Sequence, residues 1–286
     1  MSSIAIIGLV ILGVAVCIGG AMIAGAYRWN AETKWLRTRL EANRTLIRPP
    51  IYDPQELESL PPPVQRYLRA VLREGQPLVA AANLQQNGAM NMSERGEHWT
   101  AFTATQRVVT RRTGFDWDAR ISMLPGVVVR VHDAYAAGEG ILHAALLGLV
   151  TVAEAGGTPQ SAEGELMRFL AEAPWYPTAL LPSQGVRWEP VGGTAALATI
   201  ADGNATVSLR FEFNETGLID SVHADARWRT VKEEPVSTPW TGRFRHYEIH
   251  GGMQVPMEAE VAWLLPQGWK PYWRGHITGL DYEFAQ

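Results

Sequence analysis

The sequence predicts a mainly β, α+β protein: an N-terminal transmembrane helix followed by a large curved antiparallel sheet or half-barrel with covering helices. Three observations carry this. From Ile4 to Ala26 the chain has no charge, Asn, Gln or Pro, and as a helix that run reaches roughly 34 Å, enough to cross a hydrocarbon core of about 30 Å. After Pro77 come strand-like apolar segments, some of them strictly alternating, separated at short spacing by Gly, Pro or charged breaks, the grammar of an antiparallel meander. One well-signalled helix, opening at Thr158-Pro159, interrupts them. Roughly ten strands with one interposed helix make a large sheet covered by helices on one face.

The first run is expected to be retained as a membrane anchor. Met1-Ser2-Ser3 has no basic side chain, and the apolar run is longer than the 7–15 residues of a cleaved signal. Cys17, the single cysteine, follows Val16 inside the run and reads as an apolar thiol among lipid tails rather than a lipidation site. Arg28, Lys34, Arg37, Arg39, Arg44 and Arg48 follow the run and no basic residue precedes it, so the charge rule places the body in the cytoplasm. The expected organisation is an anchor over 1–27, a juxtamembrane helix and linker over 28–59, and a β-rich body over 60–286 with a lid helix over 159–173. A net charge of −4 over 286 residues, without a basic patch interleaved with aromatics, excludes nucleic acid as the expected partner.

In order, 31–43 favours a helix with Trp35, Leu36 and Leu40 on one side, either lying at the head groups or extending the first helix into water. Arg48-Pro49-Pro50 makes a linker. Asp53-Pro54 starts a short turn, with Asp as N-cap, and Pro61, Pro62 and Pro63 end it and open a second helix. Val64, Tyr67, Leu68, Val71 and Leu72 give that helix one apolar face. Strands follow at 78–92, 100–111, 115–123 and 127–135; the segment 141–152 fits a strand or a helix. In the mid-chain helix Leu166, Phe169, Leu170 and Ala173 form the apolar face and Pro174 ends it. Segments 194–201 and 205–213 flank Asp202-Gly203-Asn204 as a hairpin, then 218–228. Segments 240–250 and 255–263 make a second hairpin across Gly251-Gly252, and 272–284 closes the chain.

The usual nucleophile, zinc-protease, phosphate-loop and dinucleotide motifs are absent, so no catalytic residue, metal site or cofactor is assigned, and the balance lies against an enzyme. Asp116 and Asp118 would share one strand face roughly 7 Å apart, a spacing suited to an acid–base pair; the favoured reading is a solvent face opposite a buried Trp117. His246, Glu248 and His250 share a strand face but lie too far apart for a compact metal site without help from another strand. His132 and Asp133 point to opposite faces. Glu165 and Arg168 form a surface i, i+3 pair. Trp175, Tyr176 and Trp188 either line a lid over an apolar cavity or fill the core.

The string Gly-Glu-Leu-Met-Arg-Phe-Leu-Ala-Glu-Ala-Pro-Trp-Tyr-Pro-Thr-Ala-Leu-Leu-Pro (164–182), with 238–244 and Pro271-Tyr272-Trp273-Arg274-Gly275, resembles a family of uncharacterised bacterial membrane-anchored proteins. A weaker similarity, in the order of elements and in Phe-x-Phe…Gly-Leu-Ile (211–219) and Trp-x-Gly-x-Phe…Tyr (240–247), is to the carriers that move lipoproteins to the bacterial outer membrane. That resemblance implies an unclosed barrel whose helical lid covers acyl chains, and a body outside the cytoplasm, against the charge rule. The side of the membrane is left open, with a lean to an exported body.

The resulting expectation is a single-pass, membrane-tethered binding protein whose partners are the bilayer and a lipid, acyl chain or lipidated protein. Trp117, Phe169, Trp175, Tyr176, Trp240 and Trp263 are its expected cavity lining. The alternatives are a membrane-anchored hydrolase using Asp116 and Asp118, or an interaction subunit of a membrane complex.

Overall fold

The computed structural model describes residues 3–93, 96–231 and 234–286. α1 (Ser3–Asn43) is one continuous helix, long and apolar enough in its first part to cross a membrane. The segment 31–43 is thus an extension of the first helix, but it runs along the body rather than into water or along head groups. Leu36 and Leu40 are buried while Trp35 is exposed.

Thirteen strands form one antiparallel sheet, in the order β6-β5-β4-β3-β2-β1-β13-β12-β11-β10-β9-β8-β7. They are β1 (Val79–Asn91), β2 (Trp99–Val109), β3 (Gly114–Leu124), β4 (Val127–Ala136), β5 (Glu139–Leu146), β6 (Val150–Gly156), β7 (Arg187–Pro190), β8 (Ala195–Asp202), β9 (Ala205–Phe213), β10 (Ile219–Val231), β11 (Glu234–His250), β12 (Met253–Leu265) and β13 (Gly268–Phe284). The first and last strands pair with each other and join two meanders. Apolar alternation sets the faces: on β9, Val207, Leu209, Phe211 and Phe213 are buried between exposed Thr206, Ser208 and Arg210. The segment 141–152 is neither one strand nor a helix. Leu147 and Gly148 take left-handed φ of 54° and 70° and turn it into the β5–β6 hairpin. Short β7, with its single half-buried Trp188, carries too little pattern to be seen in sequence.

Helices cover the inner face. The 3-10 turn Pro54–Leu57 starts at Asp53, whose side chain accepts from the Gln55 N–H, and α2 (Pro62–Val71) buries Val64, Tyr67, Leu68 and Val71. α3 (Pro159–Glu172) begins in a reciprocal Thr158–Ser161 capping box. It packs against β9 and β10 from one half of the sheet and β3, β4 and β5 from the other, and so lies within the hollow. A Cβ on Gly140 of β5 would fall 2.3 Å from the Ser161 carbonyl O, so only glycine lets α3 approach there. The 3-10 turns Ala173–Trp175, Pro177–Leu180 and Pro182–Gln184 follow. Tyr135 on β4 donates across the hollow to Asp202 at the end of β8, at 2.9 Å.

α1 crosses the outer face. Adjacent residues on a strand point oppositely, and here His132 faces α1 while Asp133 faces α3, as expected. Trp29 stacks on His132, ring centroids 4.5 Å apart, and donates from Nε1 to Asp118 Oδ1 at 2.9 Å. Thr33 Oγ1 lies 3.1 Å from Asp118 Oδ2, and Arg37 Nε donates to Asp116 Oδ2 at 3.1 Å. His132 Nδ1 donates to Asp116 Oδ1 at 2.8 Å. Trp29, Thr33 and Arg37 recur every four residues, one face of a helix. The solvent-face reading of Asp116 and Asp118 is therefore corrected: Asp116 is fully buried, and both carboxylates hold α1. Further along, Arg107 on β2 bridges Glu41 and Glu283, and Arg44 donates to Glu283 at 2.8 Å. The Arg107 hydrogen bond foremost, against some desolvation, pulls the Glu283 carboxyl down to about 2.

Candidate binding cavity

Between α3, the turn at Trp175 and the inner faces of β11, β12 and β13 lies a cavity of about 110 Å³. Trp117, Trp175 and Trp240 stand on its wall with Met90, Phe244, Val261, Tyr272 and Trp273, and Asp133, Arg168, Glu172 and Arg227 make its polar side. Trp240 donates from Nε1 to Tyr272 Oη at 2.9 Å, and Trp263 stacks on Tyr272 at 5.4 Å, immediately behind that wall. Phe169 on α3 and Tyr176 just after it are fully buried in the core rather than on the cavity wall, their rings 5.3 Å apart, with Tyr176 Oη donating to the Phe169 carbonyl O at 2.8 Å. Trp188 sits apart, against Phe211 at 5.2 Å. The indole N–H of Trp175 is buried and has no protein acceptor among the described residues.

The polar side is a network. Arg168 donates to Asp133 Oδ2 at 2.5 Å and to Glu172 Oε1 at 2.7 Å, with its guanidinium 4.9 Å over Phe115 and 5.1 Å over Trp117. Burial opposes that charge, but Glu172 and Asp133 outweigh it and raise the Arg168 pKa. Glu172 also accepts from Gln106, which accepts from Gln86, which accepts from Trp117 Nε1. The surface Glu165–Arg168 pair is thereby corrected: α3 is covered on two sides, so Arg168 is held by Asp133 and Glu172 inside the hollow. Glu165 Oε2 is buried without a protein donor among the described residues. Burial first, then the nearby Asp133 charge, push its carboxyl up to about 8, although Arg227 and Arg168 oppose this.

Arg227 reaches the cavity through an irregularity. The β10–β11 register slips between Ala224 and Arg227, and that bulge turns an arginine inward. Its guanidinium lies 5.0 Å over the Trp240 ring and donates to the Gly164 carbonyl O at 3.3 Å. Asp133, Arg227 and Tyr272 also line an open cleft of about 460 Å³ beside the start of α3, with Glu165, Trp228 and Trp263. The cavity and this cleft meet at Arg227. The metal-ligand face expected on β11 does not gather into a site. His246 has φ of 54° and pairs outward with Glu258 at 2.9 Å, and no metal-binding cluster occurs among the described residues.

The architecture is one large open antiparallel sheet that holds a helix and an amphipathic cavity in its hollow. The chain belongs to a family of unknown function, DUF6920, whose family model matches residues 58–282. No curated protein matches it. Among solved structures it is similar to a LolA superfamily protein from Nitrosomonas europaea, at 11% identity and a TM-score of 0.36, over 74% of this chain and 89% of that one. It is also similar to a beta-barrel-like protein of domain of unknown function DUF1849 from Brucella abortus, at 9% identity and a TM-score of 0.28, over 75% of this chain and 100% of that one.

Proposed function

We propose that this chain is a single-pass, membrane-tethered binding protein that holds an acyl chain of a lipid or a lipidated protein in the hollow beneath α3. The observation that carries the reading is the tryptophan-walled cavity joined at Arg227 to an open cleft. Specific binding sites are concave and mostly apolar with a few placed polar groups, which is this composition. By itself a cavity of about 110 Å³ is smaller than the ~150 Å³ that accommodates a benzene. The cavity therefore takes the end of a chain and the cleft takes its remainder, with Arg227 standing where the two meet. α3 acts as the lid, and α1 as the anchor that keeps the mouth beside its ligand source. Exposed Trp228, Leu264 and Trp269 near the β10–β11 and β12–β13 turns suit a mouth facing lipid. Asp116 and Asp118 belong to the α1 contact on the opposite face, and no reaction is assigned to them.

The test is native mass spectrometry of the full chain, released from detergent after incubation with palmitate. Retained fatty acid is expected in the wild type and in Asp118→Asn, and loss of at least about tenfold in Trp175→Glu, which places a charge on the apolar wall. A wild-type chain that retains no fatty acid overturns the proposal.

A further inference from the structure

On the outer face, α1 meets the sheet at the edge of its apolar run. Gly25 is the next-to-last residue of that run, and its backbone touches the β5–β6 turn. A Cβ on Gly25 would fall 2.2 Å from the Leu147 carbonyl O, and one on Gly148 would fall 2.7 Å from the Gly25 carbonyl O. Two glycines therefore fix the level of the sheet against the helix. Arg130 lies directly beneath, its Cδ 3.4 Å from where a Gly148 Cβ would be.

Arg130 is only 9% exposed, and its Nε and Nη1 have no protein hydrogen-bond partner among the described residues. Two buried guanidinium nitrogens without acceptors are costly. Its cross-strand partner on the same face is another arginine, Arg120, and like charges directly opposite destabilise a sheet. Asp118 is the acid that faces Arg130, but its oxygens are already engaged by Trp29 and Thr33. Burial first, then Arg120, lower the Arg130 pKa. The arrangement is unfavourable alone and favourable around an anion. Exposed Met123 and Leu124 at the β3–β4 turn and Val150 and Val152 on β6 flank it with apolar side chains on the same end of the sheet.

We propose that Arg120 and Arg130 bind the phosphodiester of an anionic phospholipid at the exit of α1 from the bilayer. The inference rests on α1 crossing the membrane, which sets the two arginines at head-group level. The bilayer is the source of the phosphate, because Gly25 and the apolar flanks hold the site at the lipid boundary. Occupancy seats the β3–β6 end of the sheet on the membrane and makes α1 a rigid mount rather than a loose tether.

The experiment reconstitutes the full chain in nanodiscs of equal phosphatidylglycerol and phosphatidylcholine and measures retained lipid by native mass spectrometry. An arginine near a membrane surface contributes about a fivefold preference for anionic lipid. Enrichment of phosphatidylglycerol by about tenfold or more is therefore expected in the wild type, by about fivefold less in Arg120→Gln, and parity in Arg120→Gln/Arg130→Gln. Should the double variant misfold, Arg120→Gln decides, since that side chain is exposed and its loss leaves the fold intact. Parity in the wild type, or undiminished enrichment in Arg120→Gln, overturns the proposal. So does displacement of phosphatidylglycerol by millimolar inorganic phosphate, which would mark a site for soluble phosphate. A chain that does not enter the discs overturns the anchor and this site together; one that enters without enrichment overturns this site alone.

Discussion

Glu165 illustrates how one residue changes meaning with its surroundings. In sequence it is a helix-surface acid three residues before an arginine. In the hollow its carboxyl is desolvated, faces Asp133 and is pushed up to about 8 from 4.5. The folded state then binds more protons than the unfolded chain between these values, so its contribution to stability is lost as pH rises from about 4.5 to about 8. Glu165→Gln, which keeps the shape of the protonated side chain, is expected to raise the unfolding temperature by roughly 4 °C or more at about pH 9 and to change it little at about pH 4. Thermal unfolding at both pH values checks this, and an equal shift at the two would mean that the carboxyl does not hold its proton in the fold.

At the scale of elements, α1 is both the apolar run and a strut across the outer face. Its docking depends on Trp29, 1% exposed and engaged with His132 and Asp118. Trp29→Ala removes a buried ring of a kind worth about 3–5 kcal/mol. Amides of 29–43 are then expected to exchange hydrogen 100-fold faster or more, roughly the floor set by that loss, while β9, on the far side of α3, keeps its protection. Hydrogen exchange read by mass spectrometry on the full chain in detergent checks this, and unchanged exchange in 29–43 would show that the contact contributes nothing. Of the apolar face expected for this segment, Leu36 and Leu40 are buried and Trp35 is exposed; its polar partners were not visible, because they come from β2, β3, β4, β5 and β13.

The whole molecule is two meanders sewn together along β1 and β13. At that seam a Cβ on Gly88 would fall 1.9 Å from the Arg274 carbonyl O, which leaves backbone nowhere to go. Gly88→Val is expected to cost roughly 1–3 kcal/mol and to lower the unfolding temperature while weakening exchange protection in both meanders. Loss confined to one meander would show that they unfold independently. The sequence by itself determined the membrane-length helix, the capped α3, α2 and most strands, because helix caps, turn residues and apolar periodicity act over a few neighbouring positions. Of the six residues expected to line a cavity, Trp117, Trp175 and Trp240 border it, Trp263 borders the adjoining cleft, and Phe169 and Tyr176 are packed in the core. Only the tertiary structure decided that β1 pairs with β13, that α3 is enclosed rather than laid on a surface, and that a bulge turns Arg227 inward. It likewise decided that Asp116 and Asp118 grip α1. Each of these depends on residues far apart in the chain meeting across the sheet, where packing and charge pairing, rather than local pattern, set the lowest free energy.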